Sequence, residues 1–353
     1  MLSNGQIAEV LGRMMDEEPA PHRRRALQRA ARAAIYSWPA EAAALVEAGE
    51  SLTALLSVGP WLANIIARLL EDPGFEPPEP SELRRDFLTL ADVRTTLADH
   101  QDWPAALRAD LQMHTTYSDG KATLREMAHA AAELGYEYVA ITDHSKELTI
   151  AGGMDEEELA GQAEDVAKAN AELAAEGRTL RLLHSIEMNL SPEGEGDMDP
   201  EALARLDLVM GAFHSKLRLT EDQTERYLKA LRNPSVNTIA HPRGRRFNVR
   251  LGLQADWVTV FEEAARLDKA LEIDALPDRQ DLNVELLRLA KDAGVRISIG
   301  TDAHSVAQLG FMEFGLAAAI RSGIPRERIL NFSPREEVLA WSREVRGVRP
   351  PSR

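Results

Sequence analysis

The chain has no cysteine, which removes disulfides, thiolate ligands and cysteine-held iron–sulfur clusters from consideration. Any metal must then be carried by His, Asp and Glu. No stretch comes near the roughly 18 uninterrupted apolar residues of a membrane span. The opening "MLSNGQIAEVLGRMMDEEP" has Glu9, Asp16 and Glu17 where a secretory signal has a basic and then an apolar run, so a cytoplasmic protein with no membrane partner is expected. There is no glycine-rich nucleotide fingerprint, no internal repeat and no low-complexity tract. Lysine is absent before Lys121. Positive charge is scarce overall: 41 Lys and Arg stand against 57 Asp and Glu, a formal net charge of −16. Such a chain is poorly suited to coating nucleic acid non-specifically, which rests on cations neutralising phosphates. Divalent ions bound in a cleft would oppose that average locally.

What is present falls into two parts. At 353 residues and 44% hydrophobic content, the chain can hold one large α/β domain and a small companion. Residues 1–73 are expected to be all-helical: Ile7, Val10, Leu11 and Met14 recur at helical spacing, and "PHRRRALQRAARAAIYSW" follows with Arg23, Arg24, Arg25, Arg29 and Arg32. The run "DPGFEPPEP" marks a linker, placed at 74–107. From residue 108 to 342, short β-branched runs alternate with helices, and the closing 343–353 reads as a tail. Candidate strands reach Gln112–His114 and then cover 138–144, 180–187, 206–214, 236–241, 270–274 and 295–304. Seven strand–helix units favour a barrel over an open doubly wound sheet.

Almost every candidate strand finishes on a group able to bind metal: His114 with Asp119, Asp143 with His144, Glu187, His214, His241, and Asp302 with His304. In a parallel barrel those carboxyl ends open onto one face, so dispersed residues would converge on one cleft. A lone histidine is more often a core or surface residue than a ligand, and His22, His100, His129 and His184 are read that way.

Taken in order, "DLQMHTTYSDG", "AITDHS", "SIEMNL", "GAFHS", "IAHPRG" and "IGTDAHS" resemble the motifs of the polymerase and histidinol phosphatase (PHP) domain. The resemblance implies a distorted (β/α)7 TIM-like barrel that hydrolyses phosphoesters with two or three divalent ions: Mn, Zn or Fe, with Mg also admissible. It implies that His114, Asp119, His144, Glu187, His214, His241, Asp302 and His304 are ligands. Glu187 would bridge two ions, and His114, Asp119, His144, Glu187, His214 and Asp302 would carry the catalysis. Lys216 and Arg243 are candidates for holding substrate phosphate, and Arg245 and Arg246 for following a longer, polymeric substrate; a solvated loop is the competing reading of "RGRR". Gln112 stands where other members have a second histidine, and is either a weak ligand or a hydrogen-bonding neighbour of one.

The N-terminal part resembles the small helix-hairpin-helix domain that opens bacterial family X DNA polymerases, enzymes that end in this same barrel and commonly carry "DLQ.H". In "LLSVGPWLANII" only Gly59 remains of the usual glycine pair, and Pro60 removes an amide donor, which weakens a claim on DNA. Deoxyribose-phosphate lyase chemistry, which uses a lysine Schiff base, is disfavoured by the missing lysines, and polymerase activity is not expected. The resemblance implies a hydrolase of DNA ends, through 3′–5′ exonuclease, 3′-phosphatase or abasic-site cleavage in DNA repair. The alternatives are a small-phosphomonoester phosphatase of the histidinol-phosphatase type, a non-catalytic DNA-binding scaffold and, as the weakest fit, an amidohydrolase-like barrel.

Overall fold

The computed structural model describes residues 1–348 and consists of two units: Met1–Gln101 with Arg246–Val249, and the remainder. The first unit is helical, with α1 Asn4–Glu17, α2 Pro21–Tyr36, α3 Ala42–Glu47, α4 Pro60–Glu71 and α5 Leu90–Ala98. Ser3 and Gln6 form a capping box that starts α1, and Pro21 occupies the first turn of α2, where its missing N–H costs nothing. The apolar stripes of these helices meet in a core of Ile7, Leu11, Leu27, Trp38, Leu62 and Ile66, which Phe247 joins. Glu9, although on α1, is buried. Its carboxylate is satisfied by Arg84, whose Nε and Nη2 lie 2.7 and 3.0 Å from its two oxygens, and by Arg13 at 3.1 Å. Before α4 the chain turns through Ser57, in the left-handed region at φ 66°, and then Gly59, the N-cap.

The second unit is the expected barrel. Its strands are β1 Ala109–Met113, β2 Tyr138–Ile141, β3 Arg181–Asn189, β4 Leu208–Ala212, β5 Thr238–Ile239, β6 Ala270–Asp274 and β7 Arg296–Gly300, parallel and in sequential order. Between β7 and β1 the barrel closes irregularly: Met113 and Ala303 form a parallel bridge, the His114 N–H donates to Ala303 O at 2.8 Å, and the Asp302 N–H donates to Gln112 O at 3.1 Å. Buried Asn331 stitches the same seam, its amide reaching the carbonyls of Ala109 and Ile299 at 2.9 and 2.7 Å. The outer helices include α6 Asp102–Ala106, α7 Leu124–Glu133, α8 Glu156–Ala175, α9 Pro200–Leu203 and α10 Thr224–Arg232. They continue with α11 Trp257–Arg266, α12 Val284–Asp292, α13 Met312–Ser322 and α14 Arg335–Arg346. Capping boxes at Thr123/Glu126 and Asp155/Glu158 start α7 and α8, the helices that follow β1 and β2. No described helix is long and apolar enough to cross a membrane.

Two expected boundaries shift. The segment 74–107 holds α5 and α6, because only its first part is proline-rich; Thr89 with Asp92 then makes a capping box that starts a helix. The tail expected from 343 is helical through Arg346, whose buried guanidinium donates to the carbonyls of Leu203 and Leu206 at 2.8 and 2.6 Å. Those bonds anchor the last turn of α14. Residues 349–353 of that tail lie outside the described residues.

Candidate metal centre

The eight residues named as ligands gather at the carboxyl ends of the strands. His114 directly follows β1, His144 follows β2, Glu187 lies on β3, His214 and His241 follow β4 and β5, and Asp302 and His304 follow β7. Asp119 arrives from the loop after β1. That loop doubles back tightly, and Gly120 permits it: a side chain there would stand 2.6 Å from the backbone of Thr115. Asp143, which sequence alone allowed as a ligand, has a different task. It accepts hydrogen bonds from Thr115 N and Oγ1 at 2.8 and 2.7 Å, from Ser118 Oγ at 2.6 Å and from Gln162 Nε2 at 2.7 Å, and so anchors the loop that carries Asp119.

Three overlapping sets of donors result: His114, Asp119, His144 and His304; His144, Glu187 and His214; and His114, Glu187 and Asp302. Glu187 belongs to the second and third. Its Oε1 lies 2.6 Å from His241 Nε2 and 3.1 Å from His214 Nε2, while its Oε2 lies 3.3 Å from both His114 Nε2 and His144 Nδ1. Asp119 Oδ1 stands 3.2 Å from His304 Nε2 and 3.5 Å from His144 Nε2. Depth varies across the group. His114 and Glu187 are fully buried, whereas His214, His304 and Asp119 rise to side-chain exposures of 17%, 21% and 39%, forming the mouth.

Two imidazoles are oriented from behind. His214 Nδ1 is paired with Asn189 Oδ1 at 3.2 Å, and His304 Nδ1 with the Asp302 carbonyl at 2.7 Å, which turns each Nε2 toward a carboxylate. His241 and Asp302 take left-handed backbone conformations, φ 27° and 50°, unusual for residues with side chains and typical of functional sites. Burial pushes the Glu187 carboxyl up, but the surrounding histidines outweigh it and hold its pKa well below the usual range. Burial drives His144 down to about 3, leaving a neutral imidazole with a lone pair to give.

These donors fit divalent metal. Among buried atoms, His114 Nδ1, His241 Nδ1 and both amide atoms of Gln112 have no hydrogen-bond partner. So many unpaired polar atoms in one place are expensive unless a ligand satisfies part of the set. With no sulfur donor, the set suits Mn, Zn, Fe or Mg.

The phosphate-holding candidates separate. Lys216 is exposed on the loop after β4, and Arg243 is half-buried with Nη2 donating to Leu251 O at 2.9 Å. Arg245 is buried rather than open to a polymeric substrate; its charge and that of Arg243 act on the buried Asp281 carboxylate. Arg246 belongs to the helical unit. Sequence reasoning missed Arg279, from the loop after β6, whose Nη1 lies 3.0 Å from Asp302 Oδ2 and 3.4 Å from Asp274 Oδ2. It also missed Glu272, which accepts the His241 N–H at 2.7 Å. The available signal was positional, since β6 also ends at this face. His184, inside β3, is in none of these donor groups.

A parallel barrel with nested histidine–carboxylate groups at the carboxyl ends of its strands has the construction of a protein able to hold metal there. Its sequence matches the PHP domain over residues 110–235. It is 36% identical over 266 residues to "DNA polymerase/3'-5' exonuclease PolX" of Bacillus subtilis, covering 75% of this chain and 45% of that protein. The chain thus spans less than half of that relative's length. To a "Probable phosphatase" of Tolumonas auensis it is 34% identical over 176 residues, covering 47% of this chain and 68% of the other. The crystal structure of histidinol phosphate phosphatase from Lactococcus lactis, complexed with zinc, L-histidinol and phosphate, overlaps 62% of this chain and 94% of its own at a TM-score of 0.45 and 16% identity. That likeness is too distant to carry a functional argument. The chain belongs to the PHP domain family.

Proposed function

We propose that this protein is a metal-dependent phosphoesterase that processes DNA 3′ ends, with His114, Asp119, His144, Glu187, His214, His241, Asp302 and His304 holding two or three divalent ions. The observation that carries the reading is the division of Glu187, with Oε1 against His214 and His241 and Oε2 against His114 and His144. Divalent ions held by such a set supply, when bound, an activated water and neutralisation of phosphate charge. The protein's own groups do the rest. Asn189 and the Asp302 carbonyl keep His214 and His304 in one tautomer and orientation, and Arg279 offsets the negative charge of Asp302 and Asp274. Lys216, exposed two residues after His214 and without an ion-pair partner among the described residues, is our candidate for meeting a substrate phosphate.

DNA is favoured as substrate by the similarity to the Bacillus subtilis protein and by α2, which carries five arginines and no acidic residue in a chain of net charge −16. The similarity to the Tolumonas auensis protein favours a second reading, a phosphatase of small phosphomonoesters. Hydrolysis of a 5′-labelled single-stranded oligonucleotide and of p-nitrophenyl phosphate in manganese, with His214→Ala as control, tests both. Stepwise shortening of the oligonucleotide that the variant lacks is the expected result. Turnover of the monoester alone replaces it with the second reading, and no turnover of either overturns the phosphoesterase assignment.

A further inference from the structure

Two consecutive residues in the first turn of α10, Arg226 and Tyr227, reach the strand ends that carry His214 and His241. Arg226 Nη2 donates to the carbonyl of Ser215 at 2.9 Å, and the Tyr227 hydroxyl donates to the carbonyl of Pro242 at 2.6 Å. Each acceptor belongs to the residue immediately after a histidine of the centre. Those two histidines are the pair whose Nε2 atoms stand 3.1 and 2.6 Å from a single oxygen, Glu187 Oε1.

Both donors are fixed by packing. Tyr227 is fully buried, edge-on to Phe213 with ring centroids 5.6 Å apart and tilted against Trp257 at 4.9 Å, so its hydroxyl has little freedom. Arg226, only 4% exposed, lays its guanidinium over the Phe213 ring at 4.0 Å. It therefore holds both neighbours of His214, the ring of the residue before and the carbonyl of the residue after. The backbone gripped in this way is strained: Lys216 sits at φ 54° and His241 at φ 27°, both in the left-handed region. The guanidinium is also a costly choice. Its Nε and Nη1 are buried without a hydrogen-bond partner, and the side chain forms no ion pair among the described residues. An apolar side chain of the same length would serve packing at least as well. What the guanidinium adds is its hold on Ser215.

We propose that Arg226 and Tyr227 are positioning residues: through Ser215 and Pro242 they set His214 and His241 against Glu187 Oε1 and so raise the metal affinity of that pair. This rests on reading the cluster as a metal centre. The test titrates zinc into the metal-stripped full-length protein against a chromogenic chelator and measures, in parallel, the urea midpoint of the metal-free protein. Tyr227→Phe removes one oxygen and keeps the ring beside Phe213 and Trp257; Arg226→Met keeps the reach of the side chain and removes its charge and donors. Each should weaken a zinc site by about 10-fold to 100-fold. Arg226→Met should do so with the urea midpoint unchanged or raised, because an unpaired buried charge is gone. Arg226→Lys, which keeps a cation and a donor, should recover part of the affinity. A merely structural role would lower the midpoint of the metal-free protein and leave zinc affinity as it was. Unchanged zinc affinity in Tyr227→Phe, or in a folded Arg226→Met, overturns the inference alone; Tyr227→Phe decides by itself where Arg226→Met does not fold. A wild type that holds no zinc overturns the metal centre as well.

Discussion

The two ends of the barrel use the same residue types in opposite ways. At the amino end of the strands, charges are paired near the surface: Arg108 with Glu137 at 2.6 Å, Arg296 with Asp268 at 2.9 Å, and Arg335 with Glu336 at 2.7 Å. At the carboxyl end, Glu187, Glu272, Asp274 and Asp302 are buried close together, and Glu272 Oε1 has no donor. Burial, reinforced for Glu272 by its like-charged neighbour Asp274, pushes Glu272 and Asp274 well above the usual carboxylate range. A fold gains nothing from such crowding, so the unsatisfied end is the one held for a ligand, as parallel barrels as a class place their sites.

The sharpest way to break this comparison is Glu187→Gln, which keeps the volume but removes the charge shared by two histidine pairs. Hydrolysis should fall by on the order of 10³-fold or more, with cooperative thermal unfolding retained. A variant near wild-type activity would leave the crowded carboxylates unexplained.

An intermediate effect should come from His184, a histidine in the middle of β3. Burial lowers its pKa to about 4, so between the ordinary 6.5 and that value the unfolded chain binds a proton that the folded chain refuses. Its contribution to stability is therefore lost as pH falls through that window, by at most about 3 kcal/mol. His184→Leu should flatten the acid limb of stability, measured by urea unfolding from pH 7 to 4, while metal content stays unchanged. A loss of bound metal would move His184 into the centre.

The smallest effect belongs to the paired end. Arg108→Ala removes a surface ion pair and should cost less than about 1 kcal/mol, with no change in hydrolysis. A drop in activity there would erase the distinction between the two ends.

How much of this was legible beforehand depends on how local each feature is. The seven strands and the helices between them follow from hydrophobic periodicity, and the eight candidate ligands stand beside those strands in the linear order of the chain. The linker was less legible, because the proline run hides a capped helix beginning only at Leu90. The tail was misread because Arg346 finds its acceptors at Leu203 and Leu206, far away in sequence.

By itself, then, the sequence determined the barrel, the absence of sulfur ligands and which side chains could meet at the carboxyl ends of the strands, because each is a matter of local pattern and residue chemistry. Only the tertiary structure decided the division of Glu187 between two histidine pairs, the burial of Arg245, the diversion of Asp143 to loop anchoring and the approach of Arg279 to Asp302. Those are distances between groups far apart in the chain, and closing the barrel is what brings them within reach of one another.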